Sequence, residues 1–500
     1  SRLVVRGTNS ADTISITSDL TGTRISLNGD NTLIDLTNVD EMFVLSEGGN
    51  DTIDIAGNFE GIATTVEAGD GDDPVRLDLS AADMTTVDGQ EGDDDIQANG
   101  GQQLILGGPG DDTLVSVLGA DTLDGGSGND VLLGSPERNL LIGGDGNDSI
   151  RAGGGDDVVR SEGGDDTVLG GGGNDDIRTG GGNDFVNSGG GDDSVSAGSG
   201  DDTVLAGGGA DFVEAGSGND SIDGGTGNDT LYGDDGDDTA FGGKGNDRVA
   251  AELAYGQQGN DNLAIRKWSA FPRSSGTLIG GSGNDVITAG LGNDLLRGGK
   301  GDDTLTGFTG DDQIFGDAGN DVIGAVHRDP PAALIVGLTD DDTIDGGDGD
   351  DTIFGNDGHD LIFGRSGNDV HYGGKGQDTL LGGSGADLLI GGKGSDSLSG
   401  GDDSDVLFGG TGVDTLTGGD GSDLVAATAN NNSALEIMAA WLSESRYDDR
   451  ITAVESLGVI PIADGAADVF ETDAGRDWFF ADLDLDSLFP NSDEVVEELR

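Results

Sequence analysis

The sequence contains no cysteine, so neither disulfide bridges nor thiolate metal sites can hold its fold. Aromatic residues make up 4% of it, and 23 Lys and Arg face 98 Asp and Glu, a net charge of −75. So acidic a chain repels phosphates, which excludes nucleic acid as a partner and argues equally against anionic membrane surfaces. No apolar run approaches the roughly 18 residues that a membrane-spanning helix requires. The constellations of common enzymes are missing as well. The three histidines, His327, His359 and His371, lie outside any H-E-x-x-H, no G-x-S-x-G occurs, and the glycine-rich loops lack the G-K-[ST] ending of a phosphate cradle. Paired aspartates recur throughout, so no one pair stands out as an acid–base couple, and the chain reads as a non-enzyme. Few aromatics and high charge of one sign usually mean disorder. Here the bias is periodic, which argues for order.

The period is nine residues. From Gly143 the sequence runs GGDGNDSIR, AGGGDDVVR, SEGGDDTVL, GGGGNDDIR, a pattern G-G-x-G-[ND]-D-x-U-x in which U is apolar. One phase holds for eighteen nines over 89–250 and resumes at 256–264, 280–324 and 337–426, giving 34 registers with Asp at the sixth position in 32. Gln103 and Asn139 are the exceptions. Positions one to six read as a turn, in which three glycines permit positive φ and close backbone approach. Positions seven to nine read as a short strand with its middle residue inward. Two nonapeptides make one coil of 18 residues, so turns 18 apart stack directly. The expected fold is an all-β, right-handed parallel β-roll.

Clustered carboxylates and inward carbonyls are hard oxygen ligands suited to small cations. The candidate metal ligands are the sixth-position aspartates. In the first block these are Asp94, Asp112, Asp130, Asp148, Asp157, Asp166, Asp175, Asp184, Asp193, Asp202, Asp211, Asp220, Asp229, Asp238 and Asp247. In the second they are Asp285, Asp294, Asp303, Asp312 and Asp321, and in the third Asp342, Asp351, Asp360, Asp369, Asp378, Asp387, Asp396, Asp405, Asp414 and Asp423. Asp121 is left out, because its stacked neighbours on that edge carry Gln103 and Asn139, and Asp261, in the lone register 256–264, is not among the candidates either. One medium apolar side chain per nine residues is a thin core, and stacked carboxylates repel one another. Cation binding is therefore expected to complete folding rather than follow it.

The motif resembles the RTX family, the hemolysin-type calcium-binding repeats, over about two-thirds of the chain. The resemblance implies that calcium sits between stacked turns. Sharing ions between turns 18 apart gives roughly 24 of them. It also implies a secreted, extracellular or cell-surface protein, binding at about 10⁻⁴–10⁻³ M and folding after export. The implied partners beyond calcium are a bacterial secretion apparatus, a cell surface or a glycan. Two roles compete with a free-standing calcium-binding protein: the calcium-dependent C-terminal secretion or folding module of a larger secreted enzyme or toxin, and a surface adhesin or matrix component. The chain opens on Ser1, so a leader or a preceding domain is invisible to its residues.

The flanks follow the theme loosely. Residues 1–88 carry GTNSADTIS at 7–15, GGNDTID at 48–54 and AGDGDDPVR at 68–76, which predict longer, irregular β-helical coils holding few or no ions. The first block spans 89–264 and is followed by an insertion at 265–279 holding Arg266, Lys267, Trp268, Phe271, Pro272 and Arg273. That insertion reads either as a loop over a coil or as a partner or glycan contact. The second block, 280–324, and the third, 337–426, flank an insertion at 325–336. Residues 427–500 predict a cap: a helix over 434–444 behind Ser433 and Glu436, then degenerate nines at 463–471 and 472–480 with Phe470 and Phe479 at the core position. The tail is similar to those of secreted bacterial RTX proteins. His371 falls on an inward position; it reads as a core substitution, hydrogen-bonded locally or displaced to an edge, or else as a metal ligand.

Overall fold

The computed structural model describes residues 2–426, except 20–21, 35–38, 58, 60, 80–83, 266–274, 291, 309 and 325–340, together with the backbone of four short strands beyond 468. The basic-aromatic insertion and the helix expected at 434–444 lie outside the described residues. The chain forms two compact units, Ser1–Lys244 and Gly245–Arg500. Each is a parallel β-solenoid with no helix among its described residues.

Successive strands alternate between two sheets, and each strand pairs in parallel with the one 18 residues further on. In the first unit one sheet aligns Ile150, Val168, Val186, Val204 and Ile222. The other aligns Leu123, Leu141, Val159, Ile177, Val195, Val213 and Leu231. These eighth-position side chains are fully or almost fully buried. In the second unit the ladder Ile287, Leu305, Ile323, Ile353, His371, Leu389, Leu407, Val425 faces Leu278, Leu296, Ile314, Ile344, Ile362, Leu380, Leu398, Leu416.

Most strands are longer than a three-residue reading allows, although Val131–Leu133, Val286–Thr288 and Thr304–Thr306 keep to three. Ser149–Gly154 and Thr203–Gly208, for example, begin at the seventh position and continue through the third position of the next nine. The first position is therefore a strand residue, and strand alternation turns it inward. That is why it is always small: Ala152, Ser161, Thr179, Ser188, Ala197, Ala206 and Ala215 are all fully buried there. The inner wall is built from positions six, eight and one rather than from position eight alone.

The glycines are also not equivalent. Gly144 and Gly146, at positions two and four, have φ of 115° and 136°, whereas Gly143 at position one does not enter the left-handed region. A β-carbon on Gly144 or Gly146 would run into the carbonyl oxygen of Gly126 or Gly128 in the coil before.

The N-terminal coils exceed 18 residues, with 39, 22 and 21 residues between stacked aspartates, and the first is lengthened by an antiparallel meander. Thr13–Asp19, Gly22–Leu27 and Asp30–Ile34 form an antiparallel meander that bulges from the first coil. Arg2–Arg6 then resumes parallel pairing with Glu41–Leu45, and Thr13–Asp19 with Thr52–Gly57. At the other end, the degenerate nines join the sheets in register. Phe470 lies opposite Leu416 and Phe479 opposite Val425 in the backbone pairing. Two further strands, Ser487–Leu488 and Val495–Glu498, pair in parallel beyond them.

Candidate functional site

Each sixth-position Asp ends a turn and points inward. All thirty candidate ligands sit at this one structural position and are between 0% and 3% exposed. Their two carboxylate oxygens do different things. Oδ1 accepts the backbone N–H of the corresponding residue one coil earlier: Asp94 N–H donates to Asp112 Oδ1 at 2.8 Å, and Asp112 N–H to Asp130 Oδ1 at 2.7 Å. In the first unit one such ladder runs unbroken from Asp12 through Asp51, Asp73 and Asp94 to Asp238. The other runs from Gln103 through Asp121, Asn139 and Asp157 to Asp229. The second unit holds two more, Asp247 to Asp423 and Gly276 to Asp414.

Oδ2 is the reactive end. In Asp94, Asp112, Asp130, Asp148, Asp157, Asp202, Asp285, Asp303, Asp369 and Asp405 it is buried and meets no hydrogen-bond donor. It faces the first residue of its own nine. A β-carbon on Gly107 would lie 2.6 Å from the Gly125 carbonyl oxygen of the next coil and closer still to Asp112 Oδ2. The carbonyls of the second and fourth positions approach the following coil, as Gly126 and Gly128 do toward Gly144 and Gly146. Carboxylate and carbonyl oxygens thus crowd together with no donor to balance them, which is costly unless a cation or a proton intervenes.

The electrostatics agree. Burial pushes Asp94 and Asp148 up to about 7 and Asp112 up to about 6, against the N–H bonds that lower them, with repulsion from stacked aspartates adding to the rise. In the second unit the same balance takes Asp387 to about 8 and Asp405 to about 9. Among the described residues no three His, Cys, Asp or Glu side chains gather at one point, so a bound metal would depend on backbone carbonyls for much of its shell.

The fifth position forms a second ladder of opposite sense. Its side chain accepts from the coil after it: Asn129 N–H donates to Asp111 Oδ1 at 2.8 Å, and Asn147 N–H to Asn129 Oδ1 at 2.9 Å. Asn and Asp interchange there because the side-chain oxygen accepts in either; where Asn stands its amide can add a second bond, as Asn129 Nδ2 donates to Asp111 Oδ1 at 3.2 Å.

Several residues of these ladders escaped the sequence reading. Asp12, Asp51 and Asp73 stack in line with Asp94, although 39, 22 and 21 residues separate successive members. Each sits sixth in a loose nine, a signal hidden by the irregular spacing. Asp261 stacks between Asp247 and Asp285 at separations of 14 and 24 residues. Asp312 reaches Asp342, and Asp321 reaches Asp351, across 30 residues. The interruptions therefore leave the stack continuous. Gly276 takes a ladder place with no carboxylate, and its N–H donates to Asp294 Oδ1 at 2.7 Å.

His371 is fully buried and stays in the core ladder between Ile353 and Leu389. Neither ring nitrogen has a hydrogen-bond partner, so it is neither bonded locally nor displaced to an edge. Burial pushes its pKa down to about 3, leaving the imidazole neutral.

Comparison with known proteins places these turns. A family model described as the RTX calcium-binding nonapeptide repeat matches the chain in overlapping placements covering residues 85–249, 275–323 and 336–434. No curated protein matches. Among solved structures, a hyperactive, Ca²⁺-dependent, β-helical antifreeze protein from an Antarctic bacterium is similar at 15% identity. That match spans 80% of this chain and 85% of that one, with a TM-score of 0.14.

Proposed function

We propose that this chain, which belongs to the RTX calcium-binding nonapeptide repeat family, is an extracellular β-roll whose sixth-position aspartates hold calcium and whose folding depends on it. One observation carries the reading: in coil after coil a buried carboxylate oxygen without a donor faces backbone carbonyls. A donor set made only of oxygens selects a hard cation, and calcium accepts such irregular shells. In this reading Asp94, Asp112, Asp130 and their counterparts divide their labour. Oδ1 fixes the turn through the neighbouring N–H, and Oδ2 is left for the ion. When bound, calcium supplies the positive charge that the stacked carboxylates lack and joins successive turns. The four stacked pairs that cross the interruptions add to the 24 that an 18-residue spacing gives. At the N-terminus, Asp12 and Asp51 have both oxygens engaged by donors, whereas Asp73 keeps Oδ2 free of any, so ion binding begins near Asp73.

The extracellular setting is the one that suits the weak binding common to extracellular calcium modules. Sites of about 10⁻⁴–10⁻³ M stay unloaded in calcium-poor cytoplasm and fill outside the cell. The test is circular dichroism of the chain in chelator and in millimolar calcium. A cooperative, calcium-dependent gain of β signal is expected, and a fully folded chain in excess chelator would overturn the reading.

A further inference from the structure

We infer that His371, Asp369 and the carbonyl of Gly382 form a site for a borderline divalent transition ion, of which Zn²⁺ is the natural probe. In the nine 170–178 the inward side chain at position eight leans toward the first residue of the same nine. Ile177 Cδ1 lies 3.2 Å from the point where a β-carbon on Gly170 would stand. At 364–372 the same vector carries an imidazole. A β-carbon on Gly364 would lie 2.9 Å from His371 Nε2, and closer still to Asp369 Oδ2 and the Gly382 carbonyl oxygen. Three donors of three chemical kinds therefore surround one point, and the absent side chain of Gly364 leaves it room.

None of this is needed for packing. Every other described eighth position from 89 to 426 is aliphatic, and a Leu or Ile would fill this one. Instead the core buries two ring nitrogens without partners beside a carboxylate oxygen without a partner. Such a group is costly unless something pairs it. The surrounding turns offer only oxygen, which favours calcium; a neutral imidazole nitrogen shifts preference toward zinc, cobalt, nickel or copper. The inference shares Asp369 Oδ2 with the calcium reading, so at this nine the transition ion takes the place of calcium, and the imidazole is the donor that decides between them.

The experiment uses the full chain, folded in saturating calcium and dialysed against micromolar zinc. The expected result is one zinc equivalent retained by the wild type and by the H327N and H359N variants, and lost in H371L. A calcium titration by circular dichroism checks that H371L folds. Nitrogen-15 spectra of the three histidines give a second readout on the wild type alone, in which the His371 ring resonances shift stoichiometrically with zinc. No retained zinc in the wild type, an equal amount in H371L, or His371 resonances indifferent to zinc would each overturn the inference.

Discussion

Ser116 donates its hydroxyl to Oδ2 of Asp121, five residues further along the same nine. At Asp94, Asp112 and Asp130 that oxygen has no donor; here, as with Ser46 at Asp51, a side chain from the first position supplies one. The stacked neighbours of Asp121 carry amides instead of carboxylates: Gln103 N–H donates to Asp121 Oδ1 at 2.8 Å, and Asp121 N–H to Asn139 Oδ1 at 3.2 Å. Asp121 is thus satisfied within the chain, and the edge from 98 to 142 is expected to carry no calcium. D121N should leave the number of bound ions unchanged, while D130N, on the opposite edge, should lower it. Ion counting by equilibrium dialysis separates the two, and a loss of ions in D121N would mean that ions are held within one turn rather than between two.

Without calcium, acid should favour the fold. Asp94, Asp148, Asp202 and Asp303 have folded pKa values of about 7, against 3.8 for an ordinary Asp. Between those values the folded chain keeps protons that the unfolded chain has lost, so stability falls as pH rises through that window. In calcium-free buffer, β signal should therefore increase from pH 7.5 to pH 5. At pH 7, adding calcium should release protons, detectable in a pH-stat. Stability that rises with pH in the absence of calcium would contradict this.

Glu162 occupies a second position with φ of 74°, where most registers place glycine. A left-handed conformation costs a non-glycine residue about 1–2 kcal/mol, partly offset by the greater freedom of glycine when unfolded. E162G should raise stability by roughly 0.5–1 kcal/mol at fixed calcium. G144A should do the reverse, by about 2 kcal/mol or more, because its β-carbon adds a clash with the Gly126 carbonyl to the unfavourable φ of 115°. Chemical denaturation of both variants measures the contrast.

The Asp312–Asp342 and Asp321–Asp351 contacts span 30 residues where 18 is the rule. Deleting residues 325–336 restores that rule. The shortened chain should fold with the same calcium dependence and bind as many ions, and a shorter loop should be slightly favoured by entropy. A loss of ions would mean that the inserted residues contribute to the sites.

Much of this was legible because the period is strict. The inward ladder from Ile96 to Val425 and the buried aspartate at position six follow from counting nines, since a single slip would turn every inward residue outward. What was not legible lacked a repeat in chemistry or in spacing. Ala152, Ser161, Thr179 and Gly143 share a place in the core only through small size, which gives no apolar signal. The ladder members Asp12, Asp51, Asp73 and Asp261 stand at irregular separations, and stacking is a fact of space rather than of sequence distance. The antiparallel meander at 13–34 has the same alternation as a solenoid strand, so pattern alone could not tell them apart.

That meander bears on where the stack ends. Every carboxylate in an aspartate ladder receives an N–H from the coil before it, so the first member needs a substitute donor. At Asp12 this is Asn28, at the meander's second bend, whose Nδ2 donates to Asp12 Oδ1 at 2.6 Å while its own Oδ1 accepts from Thr13 N–H at 2.9 Å. A column of identical coils is, in principle, a template for endless addition, as in a fibre. Asn28 fills the place that the N–H of an added coil would take, so the chain itself closes the ladder at this end.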